Sequence, residues 1–253
     1  VEAVLAGRDV LGVMPTGAGK SLCYQVPGVA ARGLALVVSP LVSLMGDQVR
    51  SLLEAGVRGA YLNSTLTPGQ QGTVMRRALE GAYDVMYVAP ERLADPRFLD
   101  FAGRADIALV AVDEAHCVSQ WGQDFRPSYL AIGDFIAALP CRPVVAALTA
   151  TATGRVRADI VRLLGLADPS VTVTGFDRPN LRFAVERHEP KRKLARLDRF
   201  IDERRTESGI VYCSKRATVE EVCAHLRERG VAVTRYHAGL SPDERERNQR
   251  AFV

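Results

Sequence analysis

The chain has 253 residues, 47% hydrophobic and 25% charged, with 33 basic and 29 acidic side chains and a net charge of +4. That length holds one large or two medium domains, and the composition excludes a disordered, collagen-like or fibrous chain. The slight basic excess is compatible with nucleic acid but does not argue for it, since solvated surface accounts for it equally well.

The predicted elements begin with an apparent helix over residues 1–7 and an apolar strand over 9–14. The strand runs into Met14-Pro15-Thr16-Gly17-Ala18-Gly19-Lys20-Ser21. Two glycines before a Lys-Ser pair at a helix start form a phosphate-binding pattern. The N–H groups of residues 17–20 can cradle phosphate oxygens, Lys20 supplies charge and the Ser21 hydroxyl can ligate Mg²⁺. Thr16, Gly17, Ala18, Gly19, Lys20 and Ser21 are the expected nucleotide-binding residues. Met14 stands where the strict pattern has its first glycine, so a plain glycine turn is the alternative reading.

Further strands are expected at 34–39, 59–62, 84–88, 107–113 and 144–148, separated by helical periods such as 43–55, 68–80 and 129–139. Near-continuous apolar strands alternating with helices predict a parallel sheet covered on both faces. In such sheets ligands lie outside the carboxyl ends of the strands. Lys20, Ser39, Asp113 and Thr149 all fall there.

The strand at 107–113 ends in Asp113-Glu114-Ala115-His116, about 90 residues after the glycine loop. Paired carboxylates at a buried strand end are costly unless a cation meets them. Asp113 is expected to hold Mg²⁺ through water, and Glu114 to orient or deprotonate the attacking water. The alternative is a strand that ends at solvent. The next segment, residues 119–129, carries the sole tryptophan with Gln120, Phe125 and Arg126. Aromatic rings and a guanidinium on a loop can stack on unpaired bases, or can simply anchor the following helix. Thr149 and Thr151, in the hydroxyl-rich 148–153 segment, can bridge the crevice or cap a helix.

After Leu164 turn chemistry intervenes, and alternation restarts with strands at 181–186, 210–212 and 231–236 and helices at 191–205, 217–229 and from 242 onward. A second α/β domain therefore begins near residues 173–180. Three strands fall short of a typical sheet and leave an exposed edge, so aggregation or a mobile C-terminal third is expected. Both ends look cut. No apolar run reaches about 18 residues, and no signal peptide is seen. The five cysteines, Cys23, Cys117, Cys141, Cys213 and Cys223, are odd in number and lack C-x-x-C spacing. They read as core residues in a reducing cytosol, with no zinc site.

Taken together, residues 14–21, 39–49, 87–93, 113–122, 148–153, 175–181, 210–213 and 236–240 resemble the RecQ family of DNA helicases, in that family's order over nearly the whole chain. The carboxylate box fused to the tryptophan loop is its most specific part. The resemblance implies a RecA-like P-loop domain over 1–174 and a partial second one over 175–253. It implies ATP- and Mg²⁺-dependent 3′–5′ unwinding of duplex DNA in repair and recombination, by a cytoplasmic protein that is nucleoid-associated if bacterial. Single-stranded and partly duplex DNA are the implied partners. Lys20, Asp113, Glu114 and His116 become the catalytic set, with Ser21 and Asp113 holding Mg²⁺. His116, Gln120, Trp121, Phe125 and Arg126 become coupling residues, and Ser39, Ser43 and segment 87–93 the strand path. Thr149 and Thr151 join the coupling set. Ser214, Lys215 and His237 become backbone contacts in the second domain. Gln123 stands where the family has histidine. The family's adenine-contacting element, arginine finger, zinc module and winged helix are expected to lie outside this chain, so an isolated fragment is expected to bind more than it hydrolyses.

Overall fold

The computed structural model describes residues 1–175 and 180–252. The chain forms two compact units, residues 1–178 and 179–253. The 176–179 part of the 175–181 segment lies outside the described residues.

Unit 1 is built on strands β1 (Val10–Val13), β2 (Leu34–Val38), β3 (Gly59–Leu62), β4 (Val85–Val88), β5 (Ile107–Val112), β6 (Val144–Thr149) and β7 (Ser170–Val173). They form one sheet in the order β3-β4-β2-β5-β6-β1-β7, and every pair is parallel. The doubly wound reading of the sequence therefore holds. The connecting helices are α1 (Glu2–Leu5), α2 (Leu22–Ala30), α3 (Val42–Glu54), α4 (Pro68–Leu79), α5 (Pro96–Arg104), α6 (Ala131–Ala138) and α7 (Gly154–Leu163). The central strands are buried on both sides and feed two apolar clusters, one per face. One gathers Leu36, Val38, Val110 and Val112 with Phe98, Phe101 and Phe135; the other gathers Val37, Leu109 and Ala111 with Tyr24, Met45 and Tyr87. Burial on both faces is why these strands read as continuous apolar runs.

Local chemistry sets the helix starts. Thr67 caps α4 with a reciprocal box, its hydroxyl accepting from Gln70 N while Gln70 Oε1 accepts from Thr67 N. Asp95 caps α5 and Thr153 caps α7. Gly28 lets α2 lie against β2: a Cβ there would stand 2.7 Å from the Ala35 Cβ. β7 and α5 have no counterpart in the expected elements. β7 is an edge strand with mostly exposed side chains, so Ser-Val-Thr-Val shows no apolar run.

Unit 2 contains helices α8 (Pro190–Asp202), α9 (Arg216–Glu228) and α10 (Pro242–Phe252). These match the helices expected there. The strands expected at 181–186, 210–212 and 231–236 require correction: none of those residues joins a ladder. Alternating apolar residues make a strand only when a neighbour satisfies the backbone N–H and C=O groups, and no such neighbour exists among the described residues. Val185 and Tyr212 are accordingly 99% and 91% exposed.

Candidate active site

The parallel sheet aligns all carboxyl ends on one side. β5, β6 and β1 are adjacent, with Val112 opposite Ala147 and Val13 opposite Thr149. The segments after them, residues 113–119, 149–153 and 14–21, therefore meet at one edge. β2 adjoins β5, with Val38 opposite Val112, which brings Ser39 to the same edge. Met14 N donates to Thr149 O at 3.0 Å and Asp113 N to Val38 O at 2.9 Å, so the register continues past the strands.

The glycine loop turns through Gly17 and Gly19, at φ +84° and +83°. Those left-handed positions suit glycine, which has no Cβ to strain. Among the described residues the N–H groups of Gly17, Gly19, Lys20 and Ser21 donate to nothing. A run of free donors ahead of α2 fits an anionic phosphate. Lys20 Nζ reaches back to Met14 O at 3.3 Å. Behind the loop, Gln25 on α2 donates to Tyr87 Oη at 2.8 Å and to Gln48 Oε1 on α3 at 3.2 Å. This polar tie between the loop helix, α3 and β4 was not foreseen, since three positions so far apart in the chain share no spacing.

Asp113 and Glu114 occupy different environments. Burial, and next the neighbouring Glu114 charge, push the Asp113 carboxyl up to about 6. A buried carboxylate of that kind suits a divalent cation. Glu114 is held below its usual value, first by a hydrogen bond from His116. Its backbone is left-handed, φ +48°, an unfavourable conformation for a non-glycine residue that turns the chain sharply into a 3-10 turn at Ala115–Val118. Tyr129 Oη donates to Asp113 O at 2.9 Å and steadies that turn.

His116 is buried and its Nδ1 stands 2.8 Å from Thr149 Oγ1 and 3.3 Å from Glu114 Oε2. Cys117 Sγ, 3.9 Å from Nε2, and then Glu114 raise its pKa to about 9. Thr149 Oγ1 donates in turn to Thr151 O at 3.2 Å. One imidazole thus connects the carboxylate box to the threonine segment.

The tryptophan loop leaves the same 3-10 turn. Ser119 Oγ donates to Asp159 on α7 at 2.7 Å and accepts from Trp121 N at 3.2 Å. Gly122 passes close to the turn, where a Cβ would stand 2.2 Å from His116 O. Arg126 binds Asp124 and donates to Pro40 O at 3.1 Å, tying the loop to the segment after β2. Gln120 and Trp121 are exposed, and Phe125 is half-buried. Ser39 is buried, whereas Ser43 is exposed in the first turn of α3. Asp159 was missed from sequence because its partner lies 40 residues away.

Unit 1 therefore gathers Thr16–Ser21, Ser39, Asp113, Glu114, His116, Thr149, Thr151 and the tryptophan loop along one sheet edge. Ser214, Lys215 and His237 belong to unit 2. Ser214 and Lys215 are exposed at the start of α9. Both His237 nitrogens are engaged: Nε2 lies 2.7 Å from Glu220 Oε1, and Nδ1 accepts from Gly239 N at 3.1 Å.

Comparison with known proteins points the same way. The chain is 45% identical over 253 residues to the ATP-dependent DNA helicase RecQ of Pasteurella multocida, covering 100% of this chain and 39% of that protein. It is 43% identical over 248 residues to the RecQ of Bacillus subtilis, covering 98% and 42%. The chain thus spans about two fifths of the length of these curated relatives. Among solved structures it resembles the Mycobacterium smegmatis helicase Lhr bound to ssDNA and AMP-PNP, with TM-score 0.66 and 20% identity over 97% of this chain and 36% of that one. It also resembles the DUF1998 helicase MrfA bound to DNA and AMPPNP, with TM-score 0.71 and 19% identity over 98% and 38%. At such identities the structures speak for the fold. Residues 1–160 match the model of the DEAD/DEAH box helicase family, and the chain belongs to that family.

Proposed function

We propose that this chain is the nucleotide-binding motor portion of a RecQ-type, ATP-dependent DNA helicase. It couples ATP hydrolysis to 3′–5′ movement along single-stranded DNA and to duplex opening in repair and recombination. The observation that carries this reading is the His116 bridge, 2.8 Å from Thr149 and 3.3 Å from Glu114. It links the carboxylate that would meet the attacking water to the segment leading into α7, while the tryptophan loop departs from the same turn.

The free N–H groups of the 16–21 loop hold phosphate oxygens and Lys20 adds a point charge. Ser21 and Asp113 would hold Mg²⁺, Asp113 through water. Mg²⁺, when bound, neutralises charge on the phosphate oxygens during transfer. Glu114 orients the water and accepts its proton. Ser43, with Glu91 and Arg92, the accessible residues of segment 87–93, lines the strand path, backed by the buried Ser39, Tyr87, Val88, Ala89 and Leu93, and Gln120, Trp121, Phe125, Arg126 and Thr151 report strand occupancy to the nucleotide. Ser214 and Lys215 contact phosphates from unit 2. In this reading residues 1–174 form the first RecA-like domain and 175–253 part of a second. The workplace is the cytoplasm, on the nucleoid in a bacterium; among the described residues no helix is long and apolar enough to cross a membrane.

A second reading, a module that binds nucleotide or single-stranded DNA with little turnover, is favoured by unit 2, whose described residues form no ladder. Mg²⁺-dependent ATP hydrolysis, measured with no nucleic acid, with single-stranded DNA and with RNA, separates the readings. DNA stimulation, with turnover reduced about 10²-fold or more in Glu114→Gln, is expected. Nucleotide binding without stimulation would leave the binding module, and stimulation by RNA over DNA would indicate an RNA helicase.

A further inference from the structure

Trp121 is 60% exposed, yet its ring is not free on both sides. The guanidinium carbon of Arg155 lies 3.6 Å from the indole centroid. Arg155 sits in the first turn of α7 and is itself exposed; among the described residues its guanidinium makes no hydrogen bond or ion pair. Its one close engagement is therefore the ring. Four residues on, Asp159 accepts from Ser119 Oγ, the same oxygen that receives Trp121 N–H. Positions i and i+4 share a helix face. One face of α7 thus grips the loop twice, at the Ser119 hydroxyl through Asp159 and at the indole ring through Arg155.

A cation on one indole face leaves the opposite face open, and that face can still stack on a planar group. A tryptophan meant only to fasten the loop would be buried. We propose that Arg155 is a positioning residue for single-stranded DNA: it covers one face of Trp121 and holds the ring so that the other face receives an unpaired base. The stack then runs guanidinium, indole, base. Because α7 begins at Gly154, capped by Thr153 directly after the segment that His116 touches through Thr149, the ring orientation is set by the element leading away from the nucleotide edge. This inference rests on the nucleic-acid reading of the tryptophan loop.

Trp121 is the sole tryptophan of the chain, so intrinsic fluorescence reads this ring alone. Acrylamide quenching and the affinity for a fluorescein-labelled oligodeoxythymidylate, followed by anisotropy, are compared for the unchanged chain, Arg155→Ala, Arg155→Lys, Trp121→Ala and the Arg155→Ala/Trp121→Ala double variant. Arg155→Ala should make the indole more quenchable and weaken binding about two- to five-fold, the size of one exposed cation–π contact. Arg155→Lys should fall between. In the Trp121→Ala background, removing Arg155 should cost nothing further, since the two act as one unit. A full additional loss there would make Arg155 an independent phosphate contact and overturn the proposal. Unchanged quenching, or tighter binding by Arg155→Ala, would overturn it too. Increased quenching in Arg155→Ala, with Trp121→Ala binding DNA as the unchanged chain does, would instead sink the reading of the loop on which the proposal rests.

Discussion

The two units are held by different forces. In unit 1 the strands β2, β4 and β5 carry side chains with almost no exposure, and apolar clusters fill both sheet faces. In unit 2, Cys223 and Leu226 are the buried hydrophobic residues described, and ion pairs join its helices and connections. Asp198 meets His225 at 2.9 Å and Arg229 at 2.6 Å, while Asp202 meets Arg229 at 2.8 Å. Arg235 joins Glu220 and Glu244. Apolar burial contributes about 25 cal/mol per Å², whereas exposed ion pairs contribute little and are screened by salt. The difference teaches that the same alternating sequence pattern yields a rigid sheet edge where strands have neighbours and helices on extended connections where they do not.

The sharpest way to break this contrast is to cut the core of unit 1. Leu36, fully buried on the central strand β2, should lose about 3–5 kcal/mol as Leu36→Ala, through lost transfer and a residual cavity. Denaturant unfolding reads it as a lowered midpoint at unchanged slope.

Next is Asp9, buried beneath β1, β6 and the turn before β7. Burial alone would raise its pKa, but the Arg142 hydrogen bond and the N–H groups of Ala167 and Val145 outweigh it and leave it below 3.8. A depressed folded value means that the contribution is complete above the ordinary carboxylate value and disappears as pH falls through the folded one. Asp9→Asn should therefore cost about 1–3 kcal/mol at pH 7, through weakened hydrogen bonds from Val145 N and Ala167 N, while the 43% exposed Arg142 returns to solvent. Its penalty should shrink as a pH series of unfolding curves drops below 3.8.

These two sites also show how far the sequence could be read. The strand at β2 was legible because burial on both faces leaves an unbroken apolar run. The glycine loop and carboxylate box were legible as motifs because each is compressed into a few neighbouring residues, eight and four. Asp9–Arg142, Ser119–Asp159 and the Gln25–Tyr87–Gln48 tie were not, because each joins residues that only the sheet order brings together. The strands of unit 2 were over-read, because alternation reports a suitable surface and not the presence of a pairing partner.

Salt should separate the units more gently. Raising ionic strength from about 0.1 to 1 M shortens the screening length from about 10 to 3 Å. Amide exchange in residues 190–229 should then accelerate, with strands β2 and β5 unchanged; equal acceleration in both would erase the distinction. The smallest effect should come from Phe183→Ser in unit 2. Phe183 is 88% exposed, so stability should stay within about 0.5 kcal/mol.

Hydrogen exchange with a non-hydrolysable ATP analogue and Mg²⁺ tests the central claim most directly: the nucleotide is held by the carboxyl edge of the unit 1 sheet. Protection is predicted at residues 16–24 and 113–119, and it should vanish in Lys20→Ala. Protection absent from both segments, or confined to residues 180–252, would contradict the account.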